Sequence, residues 1–427
     1  MTTMPPAATA SAMVLGDRWL DITDPDVYRS GVPHGTFDRL RREDPVSWWD
    51  EHDGGRGFWS ITRYRDIIDL NRDFKTFTSR QGIRLEEMDD EALEARKTMM
   101  EMDPPEHTRL RRLLQGGFTR RMVASYETAI RALATELLDD VLRRGRIDFT
   151  VDVARQLPLR MLGRLLGAPQ EDYDWLVAHG DAMIGNADPE FTTHVVDQSD
   201  TEQFRLMPFR SPSGIELFEY AQRLADARRA APTDDVVSQM LAPTMDGEPL
   251  TDLEFNNFFT LMVAAGNDTT RYSMAAGLLA LLDHPDQLER LQEHPEMMGS
   301  AVEEMLRWSS VTMHFRRTAT HDVDLHGRTI KAGDKVVLWW ISGDFDEAQF
   351  PDPFRFDIAR EPNDHLAFGR GGPHRCIGEW LARLEMRVTM EELLSRLASA
   401  RVVGPVERLR SNFISGIKHL PIEVSLR

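Results

Sequence analysis

The stretch Phe368-Gly-Arg-Gly-Gly-Pro-His374-Arg-Cys376-Ile-Gly378 contains the only cysteine in a chain of 427 residues. It is a glycine-rich loop that runs directly into an apolar helix pattern. Backbone N–H groups of such a loop can hold a thiol as the thiolate, the form of cysteine that binds metal ions. A free cysteine elsewhere usually packs as a small apolar residue, but that role requires neither the glycines nor a histidine nearby. The loop therefore indicates a metal-ligating cysteine.

The longest helix pattern contains a second informative segment. It opens at Thr251 with a capping box, in which Glu254 is the third residue after the threonine, and it runs to about His284. Near its centre, Ala264-Ala-Gly-Asn-Asp-Thr-Thr270 combines glycine with short polar residues that lower helix propensity. Threonine hydroxyls can also bond to backbone carbonyls of the preceding turn. Such a weakness inside a long helix indicates a functional position.

Together these two segments resemble the cytochrome P450 family, whose heme iron is bound by one cysteine thiolate. The family's loop pattern is Phe-x-x-Gly-x-x-x-Cys-x-Gly. This chain has one extra residue before the cysteine, so Gly371 and Gly372 both match the middle glycine. The helix segment is similar to the family's oxygen-activation motif, Ala-Gly-x-Asp/Glu-Thr-Thr. The similarity extends from about Trp48 to the C-terminus and is greatest to bacterial soluble members that receive electrons from a ferredoxin.

The expected fold is mainly α with a smaller β-rich part (α+β). The resemblance implies the P450 triangular prism, with heme between the long central helix and the helix after the cysteine loop. We expect a single domain over 1–427, because no linker or repeat divides the chain. Its predicted parts are an N-terminal segment at 1–45, β-rich parts at 46–62 and 314–340, and mainly helical parts at 63–310 and 377–397.

Local patterns add detail to this expectation. Strands are predicted at 46–49 and 57–62 around an Asp-Gly-Gly turn, near 315–320 and 335–340, and at the C-terminus. The acidic stretch 86–94 and the Pro/Gly-rich stretch 207–214 are expected to interrupt the helices, and 344–360 is expected to be irregular.

The resemblance also implies a role for individual residues at the cofactor, heme b (iron protoporphyrin IX). Cys376 is the metal ligand, Phe368 packs beside its sulfur, and Gly378 lets the next helix approach closely. The predicted propionate-binding residues are His107, Arg111, Arg317 and His374. Gly266 is expected to leave room for dioxygen.

Catalytic and substrate-binding residues follow from the same resemblance. Thr269 is expected to hydrogen-bond to dioxygen, and Asp268 to relay protons from solvent. Leu261, Ala265 and Thr269 lie on one helix face, so an apolar substrate would contact the face that presents the hydroxyl. The predicted substrate-binding residues are Ile83, Met88, Leu261, Ala265, Met313, Phe413 and Ile414. The segment 187–214 is predicted to form a mobile lid.

Glu304 and Arg307 are spaced for a side-chain pair on one helix. By resemblance they are the family's Glu-x-x-Arg pair, a structural anchor near the cysteine side of the heme. Its third partner usually comes from an Asn-Arg-Asp-like triplet, but the matching residues here are Asp344-Phe345-Asp346. The hydrogen bonding of this segment is therefore left open by the sequence.

Charge and composition restrict the partners. A formal charge of −19 argues against nucleic acid and anionic membrane surfaces. No apolar run approaches the roughly 20 residues that a membrane span requires, and Met1–Met13 does not resemble a signal peptide. We therefore expect a cytoplasmic monomer. Ferredoxin docking would need a local basic patch, for which the candidates are Arg109, Arg112, Arg370 and Arg375.

The predicted function is O2-dependent hydroxylation of a hydrophobic small molecule, which could be a terpenoid, a steroid or an alkyl or fatty compound. The electrons would come from NAD(P)H through a ferredoxin reductase and a ferredoxin. One alternative is a peroxide-driven member of the same fold, which would ordinarily lack the acid and alcohol pair of Asp268 and Thr269. Another is a non-enzymatic heme-thiolate sensor, but no DNA-binding or signalling module accompanies the heme motifs.

Overall fold

The computed structural model describes residues 19–51, 55–244 and 246–427. The N-terminal segment 1–13 and residues 53 and 54 of the predicted Asp-Gly-Gly turn lie outside these ranges. Within them, the chain is largely helical with small β-sheets, so the predicted α+β class is confirmed.

The α-helices of the described chain run throughout its length. They are α1 (His34–Glu43), α2 (Tyr64–Arg72), α3 (Asp90–Ala95), α4 (Glu106–Gln115), α5 (Arg120–Ser125), α6 (Glu127–Val141), α7 (Gln156–Leu166), α8 (Tyr173–Ile184), α9 (Ser213–Ala230), α10 (Val236–Met240), α11 (Asp252–Asp283), α12 (Pro285–Glu293), α13 (Met298–Ser309), α14 (Trp340–Gly343) and α15 (Glu379–Arg396).

The strands form small sheets around these helices. They are β1 (Val46–Trp49), β2 (Phe58–Ile61), β3 (Phe77–Thr78), β4 (Arg146–Asp148), β5 (His314–Ala319), β6 (Val323–Leu325), β7 (Arg328–Ile330), β8 (Lys335–Trp339), β9 (Leu397–Val402), β10 (Glu407–Arg408), β11 (Ile417–His419) and β12 (Pro421–Leu426). The largest sheet has the order β1-β2-β8-β5-β3, in which only β2 and β8 are parallel. A second sheet has the order β4-β12-β9.

The long helix α11 is the central element of the fold. Thr251 caps it with the predicted capping box, since its hydroxyl accepts from the Glu254 N–H while the Glu254 carboxylate accepts from the Thr251 N–H. The helix packs against α7, α8, α9, α13 and α15. Because it is surrounded, apolar residues on several of its faces are buried. The weak central segment does not break the helix.

Several local predictions need correction. The acidic stretch 86–94 is not only an interruption, because Asp89 caps the short helix α3 there through the Ala92 N–H. Strands β3 and β4 lie inside the part predicted as helical. Both are very short and pair with distant strands, so their positions depend on tertiary contacts more than on local pattern. The irregular segment 344–360 is confirmed beyond the end of α14.

Glu304 and Arg307 form a fully buried ion pair on α13. Two guanidinium nitrogens of Arg307 donate to the Glu304 oxygens at 2.7 and 2.8 Å. The third partner that the sequence left open is Arg360, whose Nε lies 3.1 and 3.2 Å from the same oxygens. Asn363 also donates to Glu304 at 3.0 Å. Thus Glu304 ties α13 to the segment that precedes the cysteine loop.

The Asp344-Phe345-Asp346 triplet serves this anchor through its backbone and its ring. The carbonyl oxygen of Asp344 accepts from Arg307 at 2.7 Å, and the Phe345 ring lies 5.1 Å from the Arg307 guanidinium carbon. The Asp344 carboxylate accepts from the Leu366 N–H at 2.6 Å. Burial raises the pKa of Asp344 to about 6.

Among the described residues, no helix has both the length and the apolar character that crossing a bilayer demands.

We predict that Glu304→Gln destabilises the fold strongly. It leaves two buried guanidinium groups, Arg307 and Arg360, without their shared carboxylate, and breaking a buried ion pair costs about 3–5 kcal/mol. Chemical unfolding followed by circular dichroism measures the change. The matched control is Glu43→Gln, which removes a carboxylate from an exposed pair with Arg39 and should leave the midpoint unchanged. Equal midpoints for the two variants would contradict the anchoring role of Glu304.

Candidate active site

One large cavity lies between the central helix and the cysteine loop. From α11 it is lined by Ala265, Gly266 and Thr269, and from the loop and the start of α15 by Cys376 and Gly378. The two segments that carried the sequence argument therefore meet at one site, although residues 271–367 separate them along the chain.

The conformation of the loop explains its extra residue. The Cys376 N–H donates to the Phe368 carbonyl at 3.0 Å, which closes the loop. Gly371 has a φ of 100°, in the region that favours glycine. At Gly372 the constraint is space, since a Cβ atom would lie 2.5 Å from the Asn71 carbonyl oxygen. Both glycines are therefore required, for different reasons, and they need not compete for one role.

The Cys376 thiol faces the cavity in an environment that disfavours its ionised form. Burial raises the pKa of Cys376, the Gly378 N–H acts in the opposite direction by hydrogen bonding, and Glu379 raises it further. Arg111 and Arg383 lower it. The protein alone thus leaves the thiolate short of positive charge. A metal ion at this sulfur would supply it, because coordination deprotonates a thiol outright.

Phe368 and Gly378 are the other two loop residues with predicted roles. Phe368 lines the cavity with Cys376, and its ring lies 4.4 Å from the Arg383 guanidinium carbon. A Cβ atom at Gly378 would lie 3.9 Å from Cys376 Sγ, an ordinary contact distance. Close packing within the protein therefore does not explain the glycine as predicted. The backbone of Gly378 has a more direct effect, because it lowers the pKa of the Cys376 thiol.

Beside the thiol, three residues predicted to bind propionates form a cationic and polar cluster. His107 and His374 are buried, with their ring centroids 4.3 Å apart and their planes tilted by 55°. No described residue accepts from or donates to His107 Nε2 or His374 Nδ1. The Arg111 guanidinium faces the cavity and likewise has no hydrogen-bond acceptor within the described ranges. Burial lowers the pKa of His107 to about 4.

These unsatisfied donors fit the carboxylates of heme b. A guanidinium and two imidazoles can each donate to a carboxylate oxygen. Arg317 was expected in the same set, but it is buried behind the cavity wall, where it donates to Asn71 Oδ1 at 3.0 Å and to the Arg316 carbonyl at 2.8 Å. Arg317 contributes charge to the cluster, because it lowers the pKa of His374 together with the larger effect of burial.

Thr269 lies on the cavity wall as the helix spacing indicated. Its hydroxyl donates to the Ala265 carbonyl at 3.0 Å, the local bond that threonine makes inside helices. Gly266 also lines the cavity, but a Cβ atom there would lie 3.1 Å from Cδ1 of Leu162 on α7. The glycine therefore leaves room for Leu162, and its expected role of leaving room for dioxygen stays a prediction.

Asp268 points into a buried charge network on another face of α11. Its Oδ1 lies 2.9 Å from Arg271, which also pairs with Asp181 of α8 at 2.9 Å. Asp181 pairs in turn with Arg155 at 2.9 Å, and the Arg155 side chain is 29% exposed. Burial raises the pKa of Asp268 well above its usual range; Arg271 opposes this and Asp181 adds to it. The network thus connects Asp268 to the surface.

The predicted substrate-binding residues line the cavity with one exception. Those confirmed as lining it are Ile83, Met88, Leu261, Ala265, Phe413 and Ile414. Met313 is instead fully buried in the core with Trp339 and Phe345. The preceding residue, Thr312, bridges Ile414 and lines the cavity. Since successive side chains of an extended segment point to opposite sides, Met313 faces away from it.

Two groups of cavity residues were missed by the sequence reasoning. One is a charged set near the predicted lid, made up of Arg84, Glu86, Arg96 and Glu101. The other is Glu385 on α15, a buried carboxyl for which burial alone raises the pKa to about 8. Of the first group, only Glu86 lies in the acidic stretch 86–94 that was expected to interrupt the helices, and the other three lie on either side of it. Glu385 sits on a helix of mixed polarity, where no local signal separates a cavity residue from a surface one.

Comparison with known proteins agrees with this site. The family model described as Cytochrome P450 matches residues 216–402. The chain is 36% identical to the steroid C26-monooxygenase of Mycobacterium tuberculosis over 95% of this chain and 93% of that protein. It is 35% identical to the methyl-branched lipid omega-hydroxylase of the same organism, over 98% of this chain and 96% of that one.

A solved structure extends the similarity to the whole fold. Mycobacterium marinum cytochrome P450 CYP268A2, in complex with pseudoionone, superposes with a TM-score of 0.86 and 34% identity, covering 99% of this chain and 100% of that one. Members of the family bind heme, for which the cavity has a thiol and a set of unsatisfied donors. Cysteine loop, central helix, whole-length identity and fold all agree: the chain belongs to the cytochrome P450 family and is a monooxygenase of hydrophobic substrates.

Proposed function

We propose that this enzyme hydroxylates a terpenoid, a steroid or an alkyl or fatty compound, with electrons delivered from NAD(P)H through a ferredoxin reductase and a ferredoxin. The observation that carries the proposal is the placement of the Cys376 thiol and the Thr269 hydroxyl on the wall of one largely apolar cavity. A pocket of this kind selects substrates mainly by shape and by the apolar area that they bury. The names of the steroid and lipid relatives support the same substrate classes.

Heme bound at Cys376 would supply the reductive activation of dioxygen. His107, Arg111 and His374 would hold its carboxylates, with Arg317 adding positive charge behind them. The Thr269 hydroxyl donates to Ala265, so its oxygen keeps lone pairs that can accept a hydrogen bond from a group in the cavity. The threonine would thereby hold a proton donor at a fixed position in the site.

Asp268 would deliver protons to that position. Its environment favours the protonated carboxyl, and its Oδ2 has no hydrogen-bond partner among the described residues. Asp268 does not itself line the cavity, so a rotation of the side chain away from Arg271 would have to carry the proton toward Thr269. The chain Arg155, Asp181 and Arg271 would guide its replacement from solvent. A peroxide-driven enzyme would have no use for such a route.

Docking of the proposed ferredoxin depends on the charge of the surface around the candidate arginines. Among the candidate arginines, carboxylates pair with Arg109 (Glu254 at 2.8 Å), Arg370 (Asp364 at 2.7 Å) and Arg375 (Glu379 at 2.7 Å). Their combined field is weaker than the sequence suggested. An acidic ferredoxin would therefore have to dock on a surface where carboxylates balance these arginines. We further propose that the enzyme is cytoplasmic and monomeric.

Cys376→Ser should abolish the absorption band at about 450 nm that reduced heme shows with carbon monoxide when thiolate is its axial ligand. A serine hydroxyl remains protonated at neutral pH and is a poor ligand for iron. The spectrum of the reduced, carbon monoxide-treated protein measures this, with heme content determined separately so that loss of heme is not mistaken for a change of ligand. Retention of the band in the variant would show that Cys376 is not the ligand.

Thr269→Ala should bind substrate normally but form about tenfold less product per NADH consumed, because the positioned hydroxyl is lost and proton delivery fails. The missing electrons should appear as hydrogen peroxide or superoxide. Thr269→Ser is the matched control, since it keeps the hydroxyl and should retain most of the coupling. Equal coupling in the alanine variant and the parent enzyme would rule out the proposed role of Thr269.

A further inference from the structure

One part of the cavity wall, away from the cysteine loop, carries a cluster of charged side chains. Arg84 and Glu86 reach it from the segment before α3, Arg96 from the end of α3, and Phe209 from the predicted lid. Charged side chains are rarely buried without partners, because an unpaired charge loses its hydration. The way in which these side chains pair therefore shows which of them could bind a charged ligand.

The Glu86 carboxylate already forms an ion pair with Arg96. Two guanidinium nitrogens of Arg96 donate to the two Glu86 oxygens, each at 2.8 Å, in a bidentate pair. Arg84 approaches Glu86 only to 3.5 Å. Among the described residues, none accepts a hydrogen bond from the Arg84 guanidinium, although its side chain is half-buried. Burial lowers the pKa of Arg84 to about 10, so the group remains a cation at neutral pH.

The Phe209 ring packs against one face of the Arg84 guanidinium. The guanidinium carbon lies 4.2 Å from the ring centroid, a cation–π contact. A stacked guanidinium keeps its in-plane N–H donors free at the edge. Phe209 and Arg210 both have left-handed backbone angles, with φ of 59° and 51°. Non-glycine residues persist in that region only where their surroundings fix them, often at ligand sites.

Three guanidinium groups lie near Glu86, and two of them have hydrogen-bonded carboxylate partners: Arg96 pairs with Glu86, and Arg210 with Glu202 at 3.2 Å. Although burial acts in the opposite direction, Arg96, Arg84 and Arg210 hold the pKa of Glu86 below its usual range. Three guanidiniums thus surround one ionised carboxylate. The second acid, Glu101, accepts from the Thr98 N–H and hydroxyl at 3.0 and 2.7 Å, and burial raises its pKa. A further anion can therefore be accommodated here.

We infer that Arg84 binds the carboxylate of an amphipathic acid substrate, a long-chain fatty acid in the simplest case, whose hydrocarbon chain occupies the apolar part of the cavity. This rests on the proposed function, because it concerns the substrate of the same site. The planar guanidinium edge matches a carboxylate in a bidentate arrangement. Glu86 remains with Arg96 when the ligand binds, so no existing pair has to break.

Binding of hexadecanoic acid and of hexadecan-1-ol to the holoenzyme tests the inference, by calorimetry and by the substrate-induced shift of the heme Soret band. The two ligands have the same chain and differ in charge. We expect Arg84→Met to bind the acid at least about tenfold more weakly than the parent enzyme, a change of about 1.4 kcal/mol, and to bind the alcohol within about twofold of it, because methionine preserves the apolar wall. Arg84→Lys should be intermediate, since it keeps the charge without the planar fork.

The matched control is Arg56→Met. Arg56 pairs with Glu87 at 3.5 Å in the same region but does not line the cavity, so its loss changes net charge without touching the site. The acid should bind this variant as it binds the parent enzyme. Equal losses for acid and alcohol in Arg84→Met, or undiminished acid binding, would overturn the inference.

The measurements distinguish failure of the inference about Arg84 from failure of the proposed heme-thiolate function. If Arg84 has no preference for the acid but the alcohol still shifts the Soret band and the reduced enzyme retains its carbon monoxide band, only the inference about Arg84 is wrong. Absence of that band in the parent enzyme would instead contradict the proposed heme-thiolate function, before any ligand is compared.

Discussion

The central constraint on the site is the negative charge that Cys376 carries when it is a thiolate. The Cys376 side chain is exposed to the cavity, while the protein packed around it and Glu379 raise the pKa of its thiol, and Gly378, Arg111 and Arg383 lower it. A metal ion at the sulfur would favour the thiolate, because coordination deprotonates a thiol. The loop that presents it is fixed by two glycines and by the hydrogen bond between Cys376 and Phe368. The Glu304 anchor in turn fixes the segment that leads into the loop.

The central helix separates two functions on different faces. One face, with Ala265 and Thr269, is the cavity wall, and the other, with Asp268 and Arg271, belongs to a buried ion network. This division keeps the Asp268 charge network off the cavity wall, and it places Asp268, the proton source that we propose, next to Thr269 in the chain. It also has a cost, because buried ion pairs seldom stabilise a fold more than apolar packing would. We interpret the network as retained for proton transfer, since stability alone would not favour it.

Sequence reasoning succeeded where a local pattern and a chemical requirement coincide. The capping box located the start of α11 at Thr251, and the lone cysteine located a loop that lines the cavity. It failed where the outcome depends on which side of a short segment faces inward. Met313 has the same apolar character as Ile414, yet one is core and the other lines the cavity. Gly266 matched the family motif, but only the packing of Leu162 shows what its missing side chain accommodates. Arg84 and Glu86 gave no signal, because a buried charge and a solvated one look alike in a sequence.

The most direct test of the account is the origin of the oxygen atom in the product. The enzyme, a ferredoxin and reductase that support its turnover, NADH and a bound hydrophobic substrate would be incubated under ¹⁸O2 in ordinary water, and the product analysed by mass spectrometry. A monooxygenase that activates dioxygen at the Cys376 site places the heavy isotope in the product hydroxyl. A product hydroxyl that carries only ordinary oxygen, derived from water, would contradict the account.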